Sequence, residues 1–195
     1  GIVFPPNLNL EQASSQSTAE YKAQNLTGKS FLDLTCGFGI DAYFLSKNFD
    51  EVTLIEQNPE LISIVENNWK TLGRKANFIN ENLEQFLESL RESQTDNGKG
   101  FDIVYLDPMF PQQKKKSTLV KKNMQLLHGL FRESKNNDDN TLLFTDAFTF
   151  ARHKVVVKRN RTSLPIVRQI DPDYVITGPT VRYDVYLSRK YRSNI

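Results

Sequence analysis

The sequence predicts an α/β fold: a mostly parallel, seven-stranded sheet closed by a C-terminal antiparallel hairpin. Three observations carry this. From residue 31 onward, short apolar runs alternate with stretches of helical periodicity, the pattern of parallel strands joined by helices. The first apolar run ends in a tight glycine turn, Gly37-Phe38-Gly39. Near the C-terminus, residues 174–177 and 182–187 flank Gly178-Pro179, as two antiparallel strands flank a turn.

The elements follow in order. Phe31 to Thr35 is the first strand, and a helix through Ala42, Phe44 and Leu45 follows the glycine turn. Val52 to Glu56 is the second strand. Asn58 is placed to cap the next helix, with Pro59 at its first position, where a missing N–H costs nothing. Leu61, Ile62, Ile64, Val65 and Trp69 give that helix one apolar face. Asn77 to Ile79 is a short third strand, and the helix after it carries Leu83, Phe86, Leu87 and Leu90. A loop over 93–100 leads to the fourth strand at 101–106, whose Ile103 to Leu106 read as buried.

The chain then breaks at Asp107-Pro108, and a helix is expected from about Leu119 to Arg132. Asn136 to Asn140 reads as a second loop. Residues 141–152 read as a helix, although Thr141 to Phe144 also fits a strand. Val155 to Val157 is the fifth strand, ending in the basic run Lys158-Arg159-Asn160-Arg161. At the other end, Phe4-Pro5-Pro6 and residues 12–18 look extended and then turn-like, and 17–26 can form a helix over the sheet. Residues 1–30 are therefore expected to be an extension packing on a core domain of residues 31–195.

Bulk composition narrows the function. At 195 residues, with 38% hydrophobic and 25% charged positions, the chain suits one globular domain with a real core. No run has the length of a membrane span and no signal peptide is visible. The first residue is Gly1 rather than Met, so a trimmed N-terminus is expected. Cys36 is the single cysteine, which excludes an intramolecular disulfide and a cysteine-based zinc site and suits the cytoplasm. His128 and His153 alone argue against a multi-histidine metal centre. Residues 1–106 carry 8 Lys+Arg against 15 Asp+Glu, a balance of −7; residues 107–195 carry 17 against 8, a balance of +9. A basic half beside an acidic half points to a face for an anionic partner, or else to clustered surface lysines.

The strand ends supply candidate binding residues. Asp33-Leu-Thr-Cys-Gly-Phe-Gly-Ile-Asp41 is a strand tip, a Gly-x-Gly turn and a helix start, where backbone N–H groups can meet a ligand. Gly37, Gly39 and Ile40 would approach it closely. Glu56, at the second strand's tip, can hold both hydroxyls of an adenosine ribose, with Gln57 beside it. Asp41 would repel a pyrophosphate but suits a cation. S-adenosylmethionine (SAM) carries an ammonium and a sulfonium, which Asp33 and Asp41 would complement. Asp41 can equally be a helix N-terminal acid stabilised by the dipole. Asn80, Glu81 and Asn82 at the third strand's end can meet an adenine edge or cap the following helix.

Asp107, Pro108 and Phe110 form the candidate reacting centre. A carboxylate from Asp107 and the Pro108 carbonyl could accept the hydrogens of an exocyclic base amine and free its lone pair. Phe110 could stack on the base, a contact worth roughly 1–3 kcal/mol. Five lysines follow within nine residues: Lys114, Lys115, Lys116, Lys121 and Lys122. With Lys158, Arg159 and Arg161 they are candidates for an RNA or DNA backbone, since both basic runs follow parallel strands.

Five parallel strands followed by an antiparallel pair resemble the Rossmann-like class I methyltransferases. Asp107-Pro-Met-Phe-Pro, then Lys-x-Ser-x-Leu-Val-Lys-Lys-x-Met124, closely resembles the RsmJ family of bacterial 16S rRNA (guanine-N(2)-)-methyltransferases. Ala151-Arg-His-Lys-Val-Val-Val-Lys-Arg159 and Arg182-Tyr-Asp-Val-Tyr186 are similar to it too, and the similarity covers about residues 31–190. The resemblance implies SAM contacts at Ile40-Asp41, Glu56-Gln57, Glu81-Asn82 and Asp107, and ribosomal RNA or the small ribosomal subunit as partner, with no metal and no membrane. The chain departs from the family at Ile40, where Arg is usual, and at Glu81-Asn82, where Ser-Ser is usual. Methylation of a base amine in tRNA or DNA, and a non-catalytic RNA-binding module on the same fold, are the alternative readings.

Overall fold

A computed structural model describes residues 26–93, 100–108, 137–167 and 170–188. Its sheet contains β1 (Ser30–Asp33), β2 (Glu51–Ile55), β3 (Asn77–Ile79), β4 (Phe101–Leu106), β5 (Ala151–Asn160), β6 (Tyr174–Thr177) and β7 (Val181–Leu187). The helices are α1 (Ile40–Leu45), α2 (Pro59–Thr71), α3 (Leu83–Ser93) and α4 (Asn137–Phe150). Strand order is β3-β2-β1-β4-β5-β7-β6. The first five strands pair in parallel, and β7 runs antiparallel to both β5 and β6. The chain order reverses at β1 and β4, so their C-terminal tips border the crevice where such sheets bind ligands.

Both sheet faces are covered, which is why the central strands are apolar almost throughout. One layer packs Phe31, Ile103, Tyr105 and Val156 under Leu45, Ile62, Val65 and Trp69 from α1 and α2. The other packs Leu32, Val104, Leu106, Val155 and Val157 against Phe86 and Leu87 of α3 and Phe144 and Phe148 of α4. Each fully buried large apolar side chain contributes about 1.5–3 kcal/mol. Asn58 caps α2, its Oδ1 accepting from the N–H groups of Glu60 at 3.0 Å and Leu61 at 3.1 Å, with Pro59 in the first turn.

β1 and β2 lie one or two residues from their expected bounds, and two further boundaries differ more. Residues 137–140, expected in a loop, form the first turn of α4; the helix expected over 141–152 holds over the strand alternative as far as Phe150, while Ala151 and Arg152 belong to β5. β5 begins at Ala151 and ends at Asn160, far beyond Val155–Val157. It pairs with β4 as far as Val157 and with β7 from Lys154 to Asn160, and the β7 ladder carries Lys158 and Arg159 into the sheet. Leu26 is fully buried in the core beside Phe31. The rest of the expected extension, residues 1–25, and the expected helix over 119–132 lie outside the described residues, as does most of the loop over 93–100. Among the described residues no helix is long and apolar enough to cross a membrane.

Candidate active site

The turn after β1 is built around two left-handed glycines, Gly37 with φ 52° and Gly39 with φ 67°. Gly39 also lies where α2 packs. A Cβ there would meet Val65 Cγ1 at 2.6 Å and Trp69 Nε1 at 3.1 Å, and the Trp69 indole donates to the Gly39 carbonyl at 3.3 Å. Ile40 and Asp41 then open α1. The Gly-x-Gly pattern thus serves backbone conformation and helix packing together.

Glu56 follows β2 and is 6% exposed. Burial pushes its pKa up, and backbone N–H groups of Asn58, Gly37 and Gln57 hold it back; the Asn58 bond is 2.9 Å. The side-chain amide of Asn80 donates to the carbonyls of Glu56 at 2.9 Å and Gln57 at 3.0 Å, joining the tips of β3 and β2. Beside them opens a cleft of about 660 Å³ lined by Gln57, Asn58, Pro59, Glu60, Glu81 and Asn82, among others. Asn82 also caps α3, accepting from the Glu84 N–H at 2.9 Å, the second of the two uses open to it.

Next to this cleft, β1, β4, β5 and α1 bring three carboxylates together. Asp33 is 1% exposed and accepts from the Thr35 N–H at 2.9 Å. Burial, with the neighbouring charges of Asp107 and Asp41, pushes its pKa up to about 8. Asp107 receives the Lys158 ammonium at 2.9 Å, and the same ammonium lies 2.5 Å from Asp41 Oδ2. The Tyr183 hydroxyl donates to Asp41 Oδ1 at 2.8 Å. Burial raises the Asp107 pKa and the Lys158 ammonium opposes the rise. Burial disfavours the charge on Lys158, but the two carboxylates outweigh it and its pKa rises.

Several expected residues are therefore gathered in one place: Asp33, Gly37, Gly39, Ile40, Asp41, Glu56, Gln57, Glu81, Asn82, Asp107 and Pro108 sit at or beside the strand tips. Phe110, Lys114, Lys115, Lys116, Lys121 and Lys122 lie outside the described residues. Two of the proposed phosphate ligands are placed differently. Lys158 is engaged by carboxylates with 13% of its side chain exposed. Arg159 is 7% exposed and donates to the Leu164 carbonyl from Nε at 3.0 Å and Nη2 at 2.5 Å. The reason is the length of β5: both residues are inside a paired strand, on opposite faces, instead of in a terminal loop. Arg161, beyond the strand, is exposed. Thr35 and Tyr183 are site residues that sequence reasoning missed. Thr35 stood two residues after Asp33, but Tyr183 depends on how β7 pairs.

The chain matches the family model described as "Putative SAM-dependent methyltransferase" over residues 10–188. It is 36% identical over 167 residues to ribosomal RNA small subunit methyltransferase J of Coxiella burnetii, covering 81% of this chain and 60% of that protein. It is 31% identical to the protein of that name from Idiomarina loihiensis, covering 92% of this chain and 74% of the relative. The chain thus spans about three fifths of the length of the Coxiella relative. Among solved structures, a SAM-dependent methyltransferase from Neisseria gonorrhoeae superposes with a TM-score of 0.62 at 26% identity, over 88% of this chain and 66% of that one. A T. thermophilus 16S rRNA N2 methyltransferase, solved with AdoMet and guanosine, shares the fold at a TM-score of 0.55 and 14% identity, over 96% of this chain and 44% of that one. The glycine turn, the buried strand-end carboxylates and these matches agree: the chain belongs to the SAM-dependent methyltransferases, in the family of ribosomal RNA small subunit methyltransferase J.

Proposed function

We propose that this chain methylates the exocyclic N2 amine of a guanine in 16S rRNA, with SAM as methyl donor. The observation that carries the reading is Asp107-Pro108 at the tip of β4, beside the carboxylates of Asp33 and Asp41 and across from Glu56 at the tip of β2.

The donor set fits SAM. Asp41 and Asp107 share the single ammonium of Lys158, and Asp33 is a further carboxyl beside them that a cation would help to ionise, which favours a ligand bearing an ammonium and a sulfonium. Glu56, oriented by backbone N–H groups, suits two ribose hydroxyls, and the cleft beside Gln57 and Asn82 suits the adenine. When bound, SAM would supply an electrophilic methyl group: the amine lone pair would form the N–C bond, the C–S pair would stay on sulfur, and the displaced N–H proton would pass to the Asp107 carboxylate and on to solvent.

The residues of this chain would do the rest. Asp107 and the Pro108 carbonyl accept the amine hydrogens, which draws the nitrogen lone pair out of conjugation and points it at the methyl carbon. Phe110 stacks on the base, and Lys114, Lys115, Lys116, Lys121 and Lys122 hold the phosphates around it. The names of the relatives support ribosomal RNA of the small subunit as the substrate.

The test is transfer of labelled methyl from SAM to unmethylated small-subunit rRNA and subunits, with tRNA and DNA alongside, read by nucleoside mass spectrometry. N2-methylguanosine at one rRNA nucleotide is the expected product. Transfer confined to tRNA or DNA would overturn the rRNA assignment, and SAM binding without transfer to any nucleic acid would overturn the catalytic one.

A further inference from the structure

Strand register puts Lys158 at the centre of the carboxylate cluster. Leu106 pairs with Val157, and Lys158 pairs with Tyr183, so Asp107, Lys158 and Tyr183 stand in a row across β4, β5 and β7. The Lys158 ammonium bridges Asp107 Oδ2 at 2.9 Å and Asp41 Oδ2 at 2.5 Å, while Tyr183 fixes the other oxygen of Asp41 at 2.8 Å. Asp33 of β1 and Tyr105 of β4 also face this group electrostatically. A lysine so placed would have to abandon two carboxylates to reach a phosphate. Its geometry suits a different task.

We propose that Lys158 is a positioning residue of the methyl-transfer site, gripping Asp107 by Oδ2 and presenting its Oδ1 to the amine hydrogen of the target base. The proposal rests on the reading of Asp107 as the amine acceptor. Asp41 and Tyr183 anchor the lysine from behind, so the grip is fixed before any substrate arrives. The positive charge also favours the ionised form of Asp107, opposing the burial that pushes its pKa up. A protonated carboxyl would offer a hydrogen where an acceptor is needed.

The test compares full-length K158M and K158R with the wild type; K158Q takes the place of K158M if that variant does not fold. The first readout needs no turnover: carboxyl-carbon NMR of Asp107 in the unliganded protein, assigned with D107N. Losing an opposite charge at this distance should raise the Asp107 midpoint by about 1–3 pH units in K158M, with K158R close to wild type. The second readout is kcat against pH on rRNA. In K158M, kcat should fall at least about tenfold at pH 7 and recover toward high pH as Asp107 ionises, with KM for RNA within about twofold of wild type. If wild-type protein methylates RNA but the midpoint stays put, or moves while kcat is unchanged, the positioning role is overturned and the methyltransferase reading stands. A raised KM for RNA and a flatter salt dependence at unchanged kcat would make Lys158 a phosphate ligand instead. Absence of transfer by the wild type would overturn the reading itself, and the positioning role with it.

Discussion

Thr35 Oγ1 accepts the backbone N–H of Asp107 at 2.6 Å and donates to Asp33 Oδ1 at 3.4 Å. One hydroxyl therefore links the tips of β1 and β4, the two strands that border the crevice, and couples the buried Asp33 carboxyl to the Asp107 backbone. Removing it leaves a partly buried N–H unpaired. Thr35→Ala should destabilise the protein by about 1–3 kcal/mol in urea unfolding, and Thr35→Ser should restore most of that. Equal stability of the Ala variant would mean the bond contributes nothing.

The Asp33 carboxyl makes stability depend on pH. Its folded pKa is raised from 3.8 to about 8, so between those values the folded protein holds a proton that the unfolded chain has released. The associated stability is fully present below about pH 4 and is lost as pH rises through about 8, with a slope of up to about 1.4 kcal/mol per pH unit. Asp33→Asn should flatten that fall, and its stability gain over wild type should be larger at pH 8 than at pH 5. Because a cationic ligand favours the ionised form, SAM affinity of the wild type should rise over the same interval. Calorimetry across pH 5–9 checks both.

Glu56 should act on the ribose, which SAM shares with S-adenosylhomocysteine. Glu56→Ala is expected to weaken both ligands alike, by about 10–100-fold, the scale of one or two lost charge-assisted hydrogen bonds. A loss confined to SAM would place Glu56 at the cationic end of the cofactor instead.

Lys114, Lys115 and Lys116 are expected to contact RNA phosphates. Replacing all three with Ala should weaken RNA binding and reduce the slope of log K against log salt by about 2, at roughly 0.7 per phosphate contact on single strands. Fluorescence anisotropy at several salt concentrations measures this; an unchanged slope would remove them from the interface.

Local features were the ones the sequence announced. Asn58-Pro59 specifies its own helix start, the glycine turn its own conformation, and the apolar run before Asp107 its own burial. Glu56 was legible because a carboxylate at a strand tip keeps its place wherever the strand pairs. Lys158 was not, because its meaning is set by register. Nothing in Val155-Val156-Val157-Lys158 says that β5 continues to Asn160 or that Lys158 will stand beside Asp107 and Tyr183. A basic run next to another basic run suggests phosphate, whereas pairing with β7 beyond the end of the β4 ladder turns Lys158 toward Asp41 and Arg159 toward the Leu164 carbonyl. Residues 137–140 misled in the same way: Asn-Asp-Asp-Asn has turn chemistry, yet here it forms the first turn of α4.

The most direct test of the central claim is nucleotide-resolved mass spectrometry of small-subunit rRNA after incubation with SAM and either wild-type protein or Asp107→Asn. The account predicts N2-methylguanosine at one nucleotide with the wild type and at least a hundredfold less with Asp107→Asn, whose SAM affinity and unfolding transition should remain measurable. Equal methylation by the two proteins would contradict it.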